Sequence, residues 1–301
     1  MKLLLSLCLY VFLSGPLSAQ ISQKEIIYGH KDGMALTCQV LTPEKSNYRG
    51  IIFVVSAGWQ SLYGAIPTYV KLSDPFLKKG YTVFLVQHGS APQYTVADAL
   101  ADLRTAVRFI RFRASDYNIH PDKIGITGSS AGGHLALCIA MDHGSSSTQA
   151  HEPLSQVSAK VQAVACLYPL TDFINFGKMD FNPFLDKKYL IQTNRAAAFD
   201  FKEWSETEKK PVSILSRPVI EKILRDLSPA LHVSPSAPPT LIIHGDADTS
   251  IPLQQSRQMI ERLKLAGVPS ELVIKKGAGH GWDDEEPEMT AFADWFDKYL
   301  K

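Results

Sequence analysis

The stretch ITGSSAGGHLAL, Ile126 to Leu137, decides how this sequence is read. The strand-like run Lys123 to Thr127 (KIGIT) enters a turn of small residues, and a helix-forming run, Ser130 to Met141, leaves it. Two serines sit side by side in the turn. Gly128-Ser129-Ser130-Ala131-Gly132 fits the pattern G-x-S-x-G, and only one register works. Ser130 has a glycine two places on either side, whereas Ser129 would need glycines at Thr127 and Ala131. The requirement is steric: a serine held in a sharp strand-to-helix turn needs small neighbours so that the backbones can approach. Ser130 also heads a helix, where the partial positive charge favours a developing anion. A phosphate-binding loop would end in Gly-Lys-Ser or Gly-Lys-Thr, which is absent here.

Strands and helices alternate on both sides of this turn. Met34 to Leu41 reads as an early strand. Gly50 to Ser56 and Thr82 to Val86 are continuously apolar and β-branched, as strands buried on both faces are. Thr95 to Arg113 has helical spacing, with Val96, Leu100, Leu103, Val107 and Ile110 on one face. Val161 to Leu167 is the next strand. After a break come Thr240 to Ile243 (strand), Pro252 to Ala266 (helix), Glu271 to Lys275 (strand) and Pro287 to Leu300 (helix). The expected class is α/β, with a mainly parallel central sheet covered by helices on both faces. The break, residues 172–226, is rich in aromatics and charge and is expected to form a cap or lid over the C-terminal edge of the sheet. Its Phe173, Phe176, Phe181, Phe184, Phe201 and Trp204 would serve either as a substrate wall or as the cap's own core.

Composition sets the outer limits. The 301 residues are 45% hydrophobic and 20% charged, with a formal net charge of +1. That balance gives no electrostatic case for a nucleic-acid partner. Residues 1–19 open with Met1-Lys2, continue with an apolar run from Leu3 to Leu13 and end in Leu17-Ser18-Ala19. They read as a secretory signal peptide, so a secreted or periplasmic protein is expected, with residues 20–301 as the mature domain. The apolar run is too short to span a bilayer, and no other stretch is transmembrane in character. Cys38, Cys138 and Cys166 remain after the leader, an odd number without metal-ligand spacing. They are expected as one disulfide or as buried thiols.

A serine hydroxyl is a poor nucleophile until a base takes its proton, and a histidine held by a carboxylate is the usual base. In LIIHGDADTSIP, Leu241 to Pro252, a strand ends at His244-Gly245 and Asp246 and Asp248 follow in the turn. In VIKKGAGHGW, Val273 to Trp282, a strand runs into a Gly-rich loop carrying His280. The chain order serine, acid, histidine is the one that hydrolase sheets of this kind use. Here the sequence resembles the α/β-hydrolase superfamily, in its carboxylesterase-like branch with carbohydrate-directed acetyl and feruloyl esterases. IGITGSSAGGHLAL resembles the nucleophile elbow, SPALHVSPSAPPTLIIHGDADTSIPLQQS the acid segment, and KGAGHGW the histidine loop. The resemblance runs from Gly50 to the C-terminus apart from residues 172–226. It implies Ser130 as nucleophile, Asp248 (the second Asp of D-x-D) as acid and His280 as base. Asp246 is left as a turn or capping carboxylate.

Acyl chemistry also needs two preorganised N–H groups for the oxyanion. One is the amide of Ala131. The other is expected from the loop Val55-Ser56-Ala57-Gly58-Trp59. Similar esterases have H-G-G-G-W there, and this sequence keeps only the final Gly-Trp, so Ala57 and Gly58 are the candidate donors. Trp59, His88 and Trp282 are candidate substrate contacts. His134, one turn after Ser130, is expected in a structural hydrogen bond. Asp142, His143 and His151 flank a Ser-rich loop and read as solvated polar residues, so no metal is expected, nor any organic cofactor. Asp283 to Glu286 precede Pro287 and suit the start of a helix.

The expected activity is a serine ester hydrolase working through an acyl-enzyme on small esters or acetyl, feruloyl or related esters of plant polysaccharides. A peptidase of the prolyl oligopeptidase type would carry a propeller domain, which these residues do not contain. A dienelactone-type hydrolase would have cysteine in place of Ser130. A non-catalytic binding module of the same fold would have lost one of the three positions.

Overall fold

The computed structural model describes residues 22–142, 153–177 and 182–301. The expected leader, His143, His151 and Phe181 lie outside the described residues. In chain order the elements begin with β1 (Ser22–Lys31), β2 (Met34–Thr42), β3 (Gly50–Val54), α1 (Ile66–Leu72), α2 (Asp74–Lys78) and β4 (Thr82–Val86). There follow α3 (Val96–Phe112), β5 (Ile124–Ser129), α4 (Ala131–Met141) and β6 (Ala163–Leu167). Next are α5 (Lys187–Gln192), β7 (Lys202–Ser205), β8 (Lys210–Ser213) and α6 (Arg217–Asp226). The chain closes with β9 (Thr240–Gly245), α7 (Gln254–Leu265), β10 (Ser270–Lys275) and α8 (Glu286–Tyr299).

Eight strands form one sheet in the order β1-β2-β4-β3-β5-β6-β9-β10. From β4 to β10 every pairing is parallel, while β1–β2 and β2–β4 are antiparallel. The central strands are apolar throughout because both faces are covered. On one face Ile52 and Val54 of β3 join Phe84, Val86 and Ile126 under α3, α4 and α7. On the other, Ile51 and Phe53 join Val83 and Leu85 under α1, α2 and α8. Helix α3 buries Val96, Leu100, Leu103, Val107 and Ile110, and the Asp98 carboxylate accepts the amide of Thr95 at 2.9 Å at its start. All eleven residues of α4 are buried, which suits a helix apolar on every side. At α8 the Asp284 carboxylate accepts the Glu286 amide, and Pro287 stands in the first turn.

Between β6 and β9 the chain leaves the sheet, carrying α5, the antiparallel pair β7–β8, and α6. Phe173, Phe176, Phe184, Phe199 and Phe201 are buried and pack edge-to-face in one cluster. Of the two roles held open for these aromatics, the buried ones form a core, whereas Trp204 is exposed. Cys38, Cys138 and Cys166 are free and buried, and burial pushes each thiol well above the ordinary range. Of the two expectations for them, the buried thiols hold. Among the described residues no helix is long and apolar enough to cross a membrane.

The loops that matter gather where the direction of winding changes. β4 joins β3 on one side and β5 joins it on the other, so the switch point, where parallel sheets of this kind bind ligands, lies between the C-terminal ends of β3 and β5. The sheet leaves no slack beneath it. A Cβ on Gly125 of β5 would stand 2.7 Å from the ring of Phe296 on α8. Gly125→Ala should therefore destabilise by about 1–3 kcal/mol through overpacking, read as a lower urea midpoint at unchanged m-value.

Candidate active site

Ser130 occupies the elbow between β5 and α4 with φ 53° and ψ −118°, a backbone geometry rare for a residue with a side chain. Its amide donates to the Leu167 carbonyl at 3.0 Å, tying the elbow to the end of β6. Its carbonyl accepts the His134 amide at 2.9 Å, the first turn of α4. The two flanking glycines are required by contact. A Cβ on Gly128 would lie 2.5 Å from the carbonyl carbon of Gly132, and one on Gly132 would lie 2.8 Å from the Val54 carbonyl oxygen. The helix can thus begin against both strands only if both positions lack side chains.

Three side chains from three loops meet at this elbow. Ser130 Oγ is 2.8 Å from His280 Nε2. His280 Nδ1 is 2.8 Å from Asp248 Oδ2. A carboxylate only accepts, so Nδ1 carries the proton and Nε2 is left to accept from the serine hydroxyl. The Asp248 side chain is fully buried, while that of His280 is 27% exposed. Asp248 Oδ1 accepts the amides of Ser250 at 2.8 Å and Ile251 at 2.9 Å. Burial acts to raise the Asp248 pKa, but the nearby His244 and His280 side chains and the Ile251 amide outweigh it, and the carboxyl lies well below the usual range. Asp246 serves as a turn carboxylate, accepting the Gly277 amide at 2.6 Å and joining the end of β9 to the histidine loop.

The loop after β3 departs from expectation in detail. Residues 57–60 form a tight turn in which the Ala57 amide donates to the Gln60 carbonyl at 2.9 Å and the Gln60 amide returns to Ala57 at 3.0 Å. Gly58 and Trp59 both have positive φ, 56° and 61°, the pattern of a type I′ turn. The Ala57 amide is therefore spent within the turn, which corrects its assignment as an oxyanion donor. Gly58 and Ala131 remain. Trp59 is only 4% exposed: its indole N–H donates to His134 Nδ1 at 3.0 Å and its ring packs against Phe173 and Phe199. It joins the loop to the inserted segment rather than facing a ligand.

His88 is also buried, with Nδ1 2.7 Å from the Gly89 carbonyl and Nε2 2.9 Å from Ser56 Oγ. With both nitrogens engaged it braces the loop from below, a correction to its assignment as a substrate contact. Trp282 donates to Glu288 at 2.9 Å, stacks under Lys275 and packs on Tyr168, so it supports the histidine loop from behind. His134 has the structural role expected of it: Nδ1 accepts from Trp59 and Nε2 donates to the Leu227 carbonyl at 2.8 Å. Among the described residues no group of three His, Cys, Asp or Glu side chains is arranged to hold a metal ion.

Two features of the site escape the sequence reading. The Tyr168 ring, at the end of β6, lies 4.7 Å from that of His280, and its hydroxyl donates to Glu285. His244 Nε2 lies 3.2 Å from Asp248 Oδ2, the oxygen that His280 also meets. Its place at the end of β9, beside a glycine and four residues before the acid, was the available signal.

A parallel sheet with an elbow serine at its switch point, helices on both faces and a Ser-His-Asp arrangement at the strand ends defines an α/β-hydrolase of carboxylesterase-like type. The sequence profile described as BD-FAE matches residues 38–263, and the chain belongs to that family. It is 29% identical over 234 residues to "Esterase LipC" of Mycobacterium tuberculosis, covering 77% of this chain and 53% of the relative. It is 23% identical over 291 residues to "Isoprenylcysteine alpha-carbonyl methylesterase ICME" of Arabidopsis thaliana, covering 93% of this chain and 63% of the relative. The chain thus spans between half and two thirds of the length of these relatives. In fold it is similar to a thermophilic esterase of Thermogutta terrifontis solved with butyrate bound, with a TM-score of 0.69, 24% identity, and coverage of 91% of this chain and 92% of that one.

The buried histidines couple folding stability to pH. Burial holds His134 neutral and lowers its pKa from 6.5 to about 4, with the Leu227 carbonyl partly opposing the shift. Burial lowers His88 in the same direction. The unfolded chain takes up these protons below the ordinary histidine range while the folded chain does not, so stability falls as pH drops through that window. The melting temperature at about pH 5 should be lower than at about pH 7.5, and His134→Gln, which offers both an acceptor and a donor, should narrow that difference.

Proposed function

We propose that this chain is a serine ester hydrolase acting through an acyl-enzyme, with Ser130 as nucleophile, His280 as base and Asp248 as the acid that orients it. The observation that carries the reading is the continuous relay Ser130–His280–Asp248, with both contacts at 2.8 Å, on an elbow of strained geometry. His280 Nε2 removes the hydroxyl proton as Ser130 Oγ attacks the ester carbonyl. The negative charge gathers on the carbonyl oxygen, opposite the amides of Ala131 and Gly58. Ala131 is the first residue of α4, where unpaired amides and the helix dipole act together. The imidazolium passes its proton to the leaving alcohol as the C–O bond breaks. His280 then takes a proton from water, whose oxygen attacks the acyl-enzyme and frees the acid and Ser130. Buried Asp248 stabilises the imidazolium in both halves of the cycle.

The preferred substrates in this reading are esters of small acyl groups, including acetyl and feruloyl esters of plant polysaccharides. The butyrate complex of the structural neighbour supports the small acyl group, and the leader-like residues 1–19 support an exported enzyme meeting extracellular esters. The relative whose printed name specifies a methylesterase supports ester chemistry without fixing the alcohol.

The test is labelling of the purified protein with a fluorophosphonate, beside turnover of an aryl acetate. The parent should label and turn over, and Ser130→Ala should lose both, with kcat down by at least about four orders of magnitude. Asp248→Asn should lower kcat by about 10⁴-fold with KM little changed. A parent that does not label, or a Ser130→Ala variant that labels equally, would overturn the assignment. Dipeptide cleavage without ester turnover would replace the esterase reading with a peptidase. Relative turnover of acetyl and feruloyl esters then defines the acyl group.

A further inference from the structure

We propose that His244 is a positioning residue for the relay, holding the turn that carries Asp248 in place through its hydrogen bond to the Ile251 carbonyl, beside the carboxylate oxygen that receives His280. This rests on the ester hydrolase reading above and extends it to a residue outside the Ser-His-Asp set. His244 is the penultimate residue of β9, and its side chain has no solvent exposure. Its Nε2 lies 3.2 Å from Asp248 Oδ2 and 3.0 Å from the Ile251 carbonyl. Both of those atoms are acceptors, so Nε2 carries the proton. Nδ1, 2.6 Å from Ser256 Oγ on α7, then accepts the serine hydroxyl. Ser256 is also fully buried, so water does not compete for that bond.

The Asp248 turn is held at several points. The Ser250 and Ile251 amides donate to Oδ1, and His280 Nδ1 donates to Oδ2. His244 Nε2–H donates to the Ile251 carbonyl, so the residue whose amide holds Oδ1 is itself pinned to the end of β9. That contact keeps Oδ2 aimed at His280 Nδ1. His244 is itself fixed at both ends. Gly245 lies so close to the Ala278 carbonyl that no side chain fits, which ties the end of β9 to the loop bearing His280. Tyr168 also lies beside it, its ring centre 6.5 Å from that of His244 and its hydroxyl engaged with Glu285. A buried hydrogen bond is costly to leave unmade in a dry site, so its loss should appear in turnover.

The experiment is a double-mutant cycle on the full chain. His244→Phe and His244→Gln are made in the parent and in Asp248→Ala, and kcat and KM are measured on an aryl acetate with the rate of fluorophosphonate labelling. In the parent, His244→Phe should lower kcat and the labelling rate about 10- to 100-fold with KM changed by less than about twofold. His244→Gln, which can donate to the Ile251 carbonyl and accept from Ser256, should recover most of that loss. In the Asp248→Ala background both substitutions should change kcat by less than about twofold. Equal losses in the two backgrounds, an unchanged kcat in His244→Phe, or a loss confined to KM would overturn the proposal. If His244→Phe does not fold, Ser256→Ala takes its place. It removes the group that selects the Nε2–H form and should cost about threefold in kcat in the parent and nothing in Asp248→Ala. A parent that neither labels nor turns over ester defeats the hydrolase reading itself. An active parent with additive losses defeats only the role of His244.

Discussion

Helix α4 starts in contact with the backbones of β3 and β5, and the rest of the site is arranged around that approach. Its first turn passes so close to Val54 and Gly128 that a single methyl group at Gly128 or Gly132 would collide with backbone. The reward is position. Ser130 is thrust out of the turn at positive φ, at the C-terminal edge of the sheet, on the first residues of a fully buried helix. A flexible loop could present a serine at the same point, but it would not hold the Ser130 hydroxyl at a fixed 2.8 Å from His280 Nε2. Strain at one residue is thus offset by close packing along the eleven buried residues of α4.

The second constraint is dryness. Asp248, His244, His134 and Ser256 are all without solvent, and each has its hydrogen-bonding atoms matched by protein groups. Buried polar groups are costly when unmatched and directional when matched, so these contacts fix geometry more than they add stability. His134 illustrates this away from the relay. It bridges Trp59 of the loop after β3 to the Leu227 carbonyl where the inserted segment returns to the sheet. One imidazole thereby fixes the loop after β3 against α4 and anchors the aromatic cluster of Phe173, Phe184 and Phe199 to it. The inserted segment and the candidate oxyanion loop are mechanically joined.

Much of this was legible in the chain. The runs around Ile51–Val55 and Val83–Val86 read as strands because a sheet covered on both faces requires unbroken apolar residues. Helix α3 read clearly because its single buried face repeats with helical period. β1 was not read, because it is an edge strand paired on one side, with its apolar residues Ile26, Ile27 and Tyr28 adjacent rather than alternating. The short helices α1 and α2 were missed because seven and five residues are too few to show a period. The misassignment of Ala57 has a similar origin. Whether an amide points to a ligand or closes a turn onto Gln60 is set by backbone conformation, which a four-residue string does not reveal.

The sequence by itself determined which serine stands in the elbow, because that choice is a local steric problem solved within five residues by Gly128 and Gly132. Strand ends also brought out His280 and the pair Asp246 and Asp248, and resemblance to the α/β-hydrolase acid segment picked Asp248 of the two. Only the tertiary structure decided how these groups are held. His280 lies 150 positions from Ser130, and Leu227 lies 93 from His134, so their hydrogen bonds exist only once the strands are assembled. The proton positions on His280 and His244, the solvent-free setting of Asp248 and the commitment of Trp59 and His88 to packing all follow from what the fold places opposite each atom. Residue identity supplies the donors and acceptors, and long-range assembly determines which of them meet and which are kept from water.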